Sequence, residues 1–185
     1  MKEYRIKECR TKLLELIRKK ALRRGRFVLS SGRISNYYLD GRLITLTSEG
    51  AYLVARIILD LIKSKKITAI GGPSLGADPI VGAVITLALR KKRRLSGFIV
   101  RKSKKEHGRQ RLIEGPPLRK GSRVILVDDV ATTGNSLVQA KETLEQEGIF
   151  VDSAIVLVDR QEGARENLAR VGCRLTPIFK KRDIL

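Results

Sequence analysis

Residues Val124 to Leu137 read VILVDDVATTGNSL, and no other stretch constrains the fold as much. Four apolar residues run into two adjacent carboxylates, then a small, hydroxyl-rich turn, then a helix start. A short apolar run of this kind reads as a buried strand. When it ends in Asp128-Asp129, both acids sit at the carboxyl edge of a sheet. In open α/β folds ligands bind at that edge. The turn Ala131-Thr132-Thr133-Gly134-Asn135 offers backbone N–H groups and hydroxyls ahead of a helix N-terminus, a geometry that suits a phosphate. Two carboxylates repel a bare phosphate, so they face something else on the same ligand, either ribose hydroxyls or a divalent metal. A lone Asp at such a turn often serves only as a helix cap. No Lys follows Gly134, so this is not a Walker A loop.

The rest of the chain fits the same architecture. Residues 3 to 24 carry Ile6, Leu13, Leu14, Ile17, Ala21 and Leu22 at near-helical spacing, with Gly25 as the stop. Residues 26 to 46 are strand-like, with turn signals at Ser30-Ser31-Gly32 and Asp40-Gly41. From Ser48 helices and strands alternate. Strands are expected at 67–71, 97–101, 124–127, 154–159 and 173–178, and helices from Ser48, near 78–90, near 135–147 and near 162–171. That alternation predicts an α/β fold, a parallel sheet of about five strands flanked by helices. The boundaries are a small N-terminal hood of about 1–46 joined by the C-terminal strand, a core of about 47–172, and a mobile lid of about 102–115.

Two further loops carry chemistry. Gly72-Pro73-Ser74-Leu75-Gly76-Ala77-Asp78-Pro79 lets backbone amides approach an anion closely, although a tight strand-to-helix turn has the same composition. The stretch from Arg101 to Arg111 is dense in cations and holds the one histidine of the chain, His107. A polar loop of this length inside a compact domain suits a lid that brings Lys and His to an anionic ligand and excludes water.

Composition narrows the partners. Thirty-nine basic against 19 acidic residues give a net charge of +20, which favours anionic ligands. Aromatics are only 4%, too few for a base-stacking platform, so nucleic acid is not the expected partner. No apolar run reaches the roughly 18 residues of a membrane span, and the first twenty residues lack a signal-peptide core. A cytoplasmic location is the default expectation. Cys9 and Cys173 lack metal-ligand spacing. High Lys and Arg content with one Met also resembles a thermophilic composition.

Four segments together resemble one family, the orotate phosphoribosyltransferases of the type I phosphoribosyltransferase class. FVLSSGR (27–33) with SNYYLD (35–40) resembles its N-terminal signature, and RKSKKEHG (101–108) its catalytic loop. VDDVATTG (127–134) resembles its signature for phosphoribosyl diphosphate (PRPP), and DRQEG (159–163) its base-side segment. The four occur in family order across residues 27 to 163. The resemblance implies a type I phosphoribosyltransferase-like fold. It also implies transfer of the 5-phosphoribosyl group from PRPP to orotate, giving orotidine 5′-phosphate and pyrophosphate in pyrimidine biosynthesis. Carried over by position, Asp128 and Asp129 hold ribose hydroxyls, Ala131, Thr132, Thr133, Gly134, Asn135 and Ser136 cradle the 5′-phosphate, and Val130 is counted in the PRPP site with them. Arg101, Lys102, Lys105 and His107 contact pyrophosphate, with Lys105 and His107 counted as catalytic together with the acids. Thr132 and Arg160 contact orotate. Mg²⁺ is implied, bound mainly through PRPP with no direct protein ligand, and a homodimer whose lids serve the neighbouring subunit. Some members have Lys where Ser30 and Leu75 stand here. Two other readings stay open on the residues alone: a regulator on the same fold that binds nucleic acid, and a transferase for a purine.

Overall fold

The computed structural model describes residues 5–28, 34–103 and 111–185. The order of elements is α1 (Ile6–Leu16), β1 (Leu22–Val28), β2 (Ile34–Leu39), α2 (Arg42–Thr45), α3 (Ser48–Leu61), β3 (Ala69–Pro73), α4 (Ala77–Arg90), β4 (Ser96–Val100) and β5 (Ile113–Glu114). It continues with β6 (Arg123–Ala131), α5 (Asn135–Gln146), β7 (Phe150–Asp159), α6 (Ala164–Arg170), β8 (Leu175–Lys180) and α7 (Lys181–Ile184).

The main sheet runs β5-β4-β3-β6-β7-β8. Five of its strands are parallel, and β5 pairs antiparallel with β4 through Ile99↔Glu114 and Val100↔Ile113. Both faces of the sheet are buried. Along β6, Ile125 and Val127 pack into one core with Leu53, Ile57, Ile80 and Val84 from α3 and α4. Their neighbours Val124 and Leu126 pack into a second core with Leu137, Leu144 and Leu168 from α5 and α6. Burial on both sides is why the parallel strands read as unbroken apolar runs.

The chain leaves β3 toward β4 on one side and resumes at β6 on the other. The gap between the carboxyl ends of β3 and β6 is therefore the topological switch point where a ligand site is expected. Close packing brings the two strands together there. A Cβ on Gly72 would lie 2.0 Å from the Val127 carbonyl oxygen, so only glycine fits at that position in β3. Arg93 finishes α3 from outside, donating from Nη1 to the Ile62 carbonyl (2.9 Å) and from Nη2 to the Lys65 carbonyl (3.0 Å).

The hood differs from the sequence expectation in three places. The first helix stops at Leu16, tightens into a π-helical turn over Ile17–Ala21, and gives way to β1 at Leu22. Gly25 is not the helix stop but lies inside β1, at the irregularity between Arg24 and Phe27, with φ +150°. Pairing with β2, sealed by the Phe27 and Tyr38 rings at 5.7 Å, overrides the helical pattern there. Arg42–Thr45 is a helical turn where a strand-like segment was expected. The C-terminal strand is the edge strand of the main sheet, paired with β7 from Ala154↔Leu175 to Asp159↔Lys180. It meets the hood where Arg10 Nη2 donates to the Ile178 carbonyl (2.5 Å), and α7, which follows it, where Arg18 Nε donates to the Ile184 carbonyl (3.2 Å). No helix among the described residues is long and apolar enough to cross a membrane.

Candidate active site

A cavity of about 530 Å³ opens at the switch point. Its walls are the hood residues Tyr38 to Arg42, the loop Ser74–Gly76 after β3, Lys102, the end of β6 at Asp129 and Val130, and Thr132 with Arg160.

Asp128 and Asp129 are the sixth and seventh residues of the nine-residue strand β6, which continues beyond them to Ala131. Asp128 Oδ1 accepts the Asp129 N–H (2.9 Å), and Asp129 Oδ1 accepts the Val130 N–H (2.7 Å). These short bonds fix both carboxylates relative to the strand. Burial pushes the Asp128 carboxyl well above its ordinary range, and the neighbouring Asp129 charge adds to this, with Lys102 opposing. Burial also raises Asp129, against the Val130 N–H and the nearby Arg42 charge. A buried, mutually repelling pair of this kind favours a ligand that brings hydroxyl donors or a cation. The loop after β3 is pressed onto the pair. A Cβ on Gly76 would fall 2.0 Å from Asp128 Oδ1 and 2.6 Å from Asp129 Oδ1.

The turn expected to cradle a phosphate is Thr132–Gly134, since Ala131 still belongs to β6 and Asn135 already opens α5. Gly134 has φ +75°, a left-handed conformation that glycine adopts without penalty and that aims the first amides of α5 at the turn. Asn167 of α6 holds the turn from behind, donating from Nδ2 to the Thr133 carbonyl at 2.9 Å.

Arg160 follows β7, is buried, and lines the same cavity. Its Nε bonds Glu162 Oε1 at 3.0 Å, and its guanidinium lies 4.7 Å from the centre of the Tyr37 ring. Burial raises the Tyr37 phenol, and the Arg160 charge partly offsets this. Arg160 Nη2 is buried and meets no acceptor in hydrogen-bonding geometry among the described residues. A planar fork held flat with one nitrogen uncommitted is a ready receptor for a carboxylate or ring carbonyl.

The structure brings Lys102, Asp129, Val130, Thr132 and Arg160 to one cavity. Arg101 turns instead to an adjoining depression of about 250 Å³, which it shares with Lys102 and Ser136. The reason is local. The Arg101 N–H pairs with the Leu112 carbonyl (2.8 Å) just beyond the β4–β5 pairing, and its side chain lies 3.8 Å from Glu114. Lys105 and His107 lie outside the described residues. No group of three His, Cys, Asp or Glu side chains that could hold a metal occurs among the described residues. Gly41 and Arg42 were not expected as cavity walls, and the turn signal at Asp40-Gly41 was their one pointer in the sequence, whereas Asp40 also closes the SNYYLD signature.

Comparison with known proteins sets the class first. A family model for the phosphoribosyl transferase domain matches residues 44–177. The orotate phosphoribosyltransferase of Nostoc sp. is 41% identical over 179 residues, covering 97% of this chain and 86% of that protein. The orotate phosphoribosyltransferase of Aquifex aeolicus is 40% identical, covering 95% of this chain and 97% of that protein. The solved Mycobacterium tuberculosis orotate phosphoribosyltransferase in complex with Fe(III) dicitrate superposes with a TM-score of 0.84 at 38% identity, covering 95% of this chain and 98% of that one. The chain belongs to the orotate phosphoribosyltransferases. An adenine phosphoribosyltransferase from Leishmania donovani, at 17% identity and a TM-score of 0.68, shares the fold alone.

Proposed function

We propose that this chain transfers the 5-phosphoribosyl group from PRPP to orotate, giving orotidine 5′-phosphate and pyrophosphate in pyrimidine nucleotide synthesis. The observation that carries the choice of base is Arg160, buried in the cavity wall with Nη2 uncommitted. Orotate is a flat ring bearing a carboxylate, and a fixed guanidinium fork suits it.

In this reading Asp128 and Asp129 accept hydrogen bonds from the ribose hydroxyls, and the turn Thr132–Gly134 with the start of α5 holds the 5′-phosphate. The loop Ser74–Gly76 and Lys102 lie at the pyrophosphate end. The bond from ribose C1′ to the diphosphate oxygen breaks as orotate N1 attacks the opposite face of C1′. The diphosphate leaves with the bonding pair, and orotate N1 gives up its proton to solvent. Cations around the leaving oxygen stabilise the charge that develops there. Lys105 and His107 belong to the lid that would complete this shell. The same lid would keep water from C1′.

Mg²⁺, held mainly by PRPP itself, would neutralise diphosphate charge. The donor set fits that role, because two half-buried carboxylates with raised proton affinity beside the cavity favour a nearby cation. A homodimer in which each lid serves the neighbouring cavity completes the proposal.

The test is loss of orotate absorbance with PRPP and Mg²⁺, with uracil, hypoxanthine and adenine run in parallel and read by released pyrophosphate. PRPP-dependent use of orotate alone is the expected result. Turnover of a purine in place of orotate would overturn the assignment of the base.

A further inference from the structure

Among the described residues the cavity wall carries three cations, Arg42, Lys102 and Arg160. Lys102 stands where the lid begins and Arg160 stands at the base end. Arg42 comes from the hood, and the reaction described above leaves it without a task.

Its placement is tightly defined. The Asp40 N–H donates to the Ala21 carbonyl at 3.2 Å, which anchors the joint between hood and core. Asp40 Oδ1 accepts from the Arg42 backbone N–H (3.0 Å) and from Nε (2.9 Å), while Oδ2 accepts from Nη2 (3.0 Å). This two-pronged pair fixes the plane of the guanidinium and commits two of its five N–H donors, leaving the others available. Gly41, between the two, is pressed onto Asp129: a Cβ there would lie 2.8 Å from Asp129 Cβ and 2.9 Å from Oδ2. The loop Ser74–Gly76 meets the same carboxylate from another side, since a Cβ on Gly76 would lie 2.6 Å from Asp129 Oδ1. Asp129 is therefore gripped between the hood joint and the loop, and Arg42 and the loop both wall the cavity beside it. The loop contributes amides and the Ser74 hydroxyl but no cation, with Leu75 exposed at its tip. A diphosphate lying on the loop needs positive charge from another wall.

We propose that Arg42, aligned by Asp40, binds the diphosphate leaving group from the hood side, facing the Ser74–Gly76 loop across the cavity. This rests on the transferase reading above. Arg42 is preorganised for the role, because its rotamer freedom is already spent on Asp40 before any ligand arrives. Asp40 above all, with the nearby Asp129 charge, favours the charged guanidinium, and the Arg42 side chain stays about half exposed on the cavity wall.

The experiment is the reverse reaction, from orotidine 5′-phosphate and pyrophosphate with Mg²⁺, in wild type, Arg42→Ala and Arg42→Lys. Arg42→Ala should raise the KM for pyrophosphate about 10- to 100-fold, the effect of one lost charge-assisted contact, and leave the KM for orotidine 5′-phosphate unchanged. Arg42→Lys should recover part of the loss, since it keeps the charge but not the fork. Calorimetric titration of Mg-pyrophosphate into the free proteins should weaken by the same factor. That titration needs no turnover, so it reads Arg42 even if wild type fails to use orotate, and the two failures stay distinct. If Arg42→Ala loses its melting transition, Arg42→Gln, which keeps the stem without the charge, is measured in its place. Unchanged pyrophosphate affinity, or an equal loss for pyrophosphate and orotidine 5′-phosphate, would overturn the proposal.

Discussion

Burial raises the Asp128 carboxyl well above its ordinary range, with the Asp129 charge adding to the effect. The unfolded chain releases that proton at lower pH, so the folded state binds more protons across the interval and loses stability as pH rises through it. The site thus sacrifices some stability to hold this carboxyl out of water beside the cavity. Asp128→Asn removes the charge and keeps the shape. It should melt at a higher temperature than wild type at neutral pH and bind PRPP at least about 10-fold more weakly, as expected when an ionised acceptor is lost. Scanning calorimetry and PRPP titration check both halves, and a lower melting temperature at every pH would show that the carboxylate is needed structurally. Arg160 makes the opposite kind of contribution, because its guanidinium is held by Glu162 and the Tyr37 ring before any ligand binds. Arg160→Ala should raise the KM for orotate about 10- to 100-fold and spare PRPP. Equal damage to both substrates in steady-state kinetics would mean that Arg160 supports the cavity as a whole. Asp128 and Thr132 were legible in the sequence because one lies near the end of a buried strand and the other in the turn beyond it, while Arg160 was reached through the resemblance of DRQEG to a family segment. Arg42 was not, because only the docking of the hood onto Asp129 brings it to the cavity.

Among the elements, β3, β4, β6 and β7 were legible for one physical reason: a parallel strand buried on both faces is an apolar run bounded by turns. The hood strand β1 reads LRRGRFV and is mostly exposed, so neither alternation nor an apolar run marks it. The helical spacing upstream simply carried on into it. The four-residue helix α2 is shorter than the period by which helices are recognised. Next to the edge strand β8, β7 is tied by charge near its start. Burial alone would raise the Asp152 carboxyl, but Lys65, Arg123 (2.7 Å) and Ser153 (3.0 Å) hydrogen-bond it and together hold it down at about 2. The unfolded chain protonates that carboxyl at its ordinary 3.8, so the network stabilises the fold above that pH and the gain is lost as pH falls toward 2. Asp152→Asn should cost about 2 kcal/mol at neutral pH and flatten the acid limb of the stability curve. Denaturant unfolding across the acid range decides it. A parallel, unflattened curve would mean that the network titrates with other groups.

For the whole molecule, the exchanged lids of the proposed homodimer have a simpler alternative, a lid that closes over its own cavity. The segment proposed as the lid leaves the sheet at β4 and returns at β5, which pair with each other, and Lys102 on that segment already lies on the wall of the chain's own cavity. Lys105 and His107 lie only a few residues further on, so the chain's own cavity is also within reach of the lid by length alone. The proposed homodimer with exchanged lids can be separated from that simpler arrangement by mixing two inactive variants. Lys105→Ala loses the lid cation and Asp128→Asn loses the ribose contact. In a mixed dimer with exchanged lids, the cavity with intact acids receives the intact lid of the Asp128→Asn subunit, while the other cavity has neither. Random re-association makes half of the dimers mixed, each with one complete cavity, so activity should return to about a quarter of wild type. If each lid closes over its own cavity, every site in the mixture lacks one of the two groups and no activity returns. Dilution, unfolding and joint refolding of equal amounts, followed by the orotate assay, gives the answer, with each variant refolded alone as the baseline.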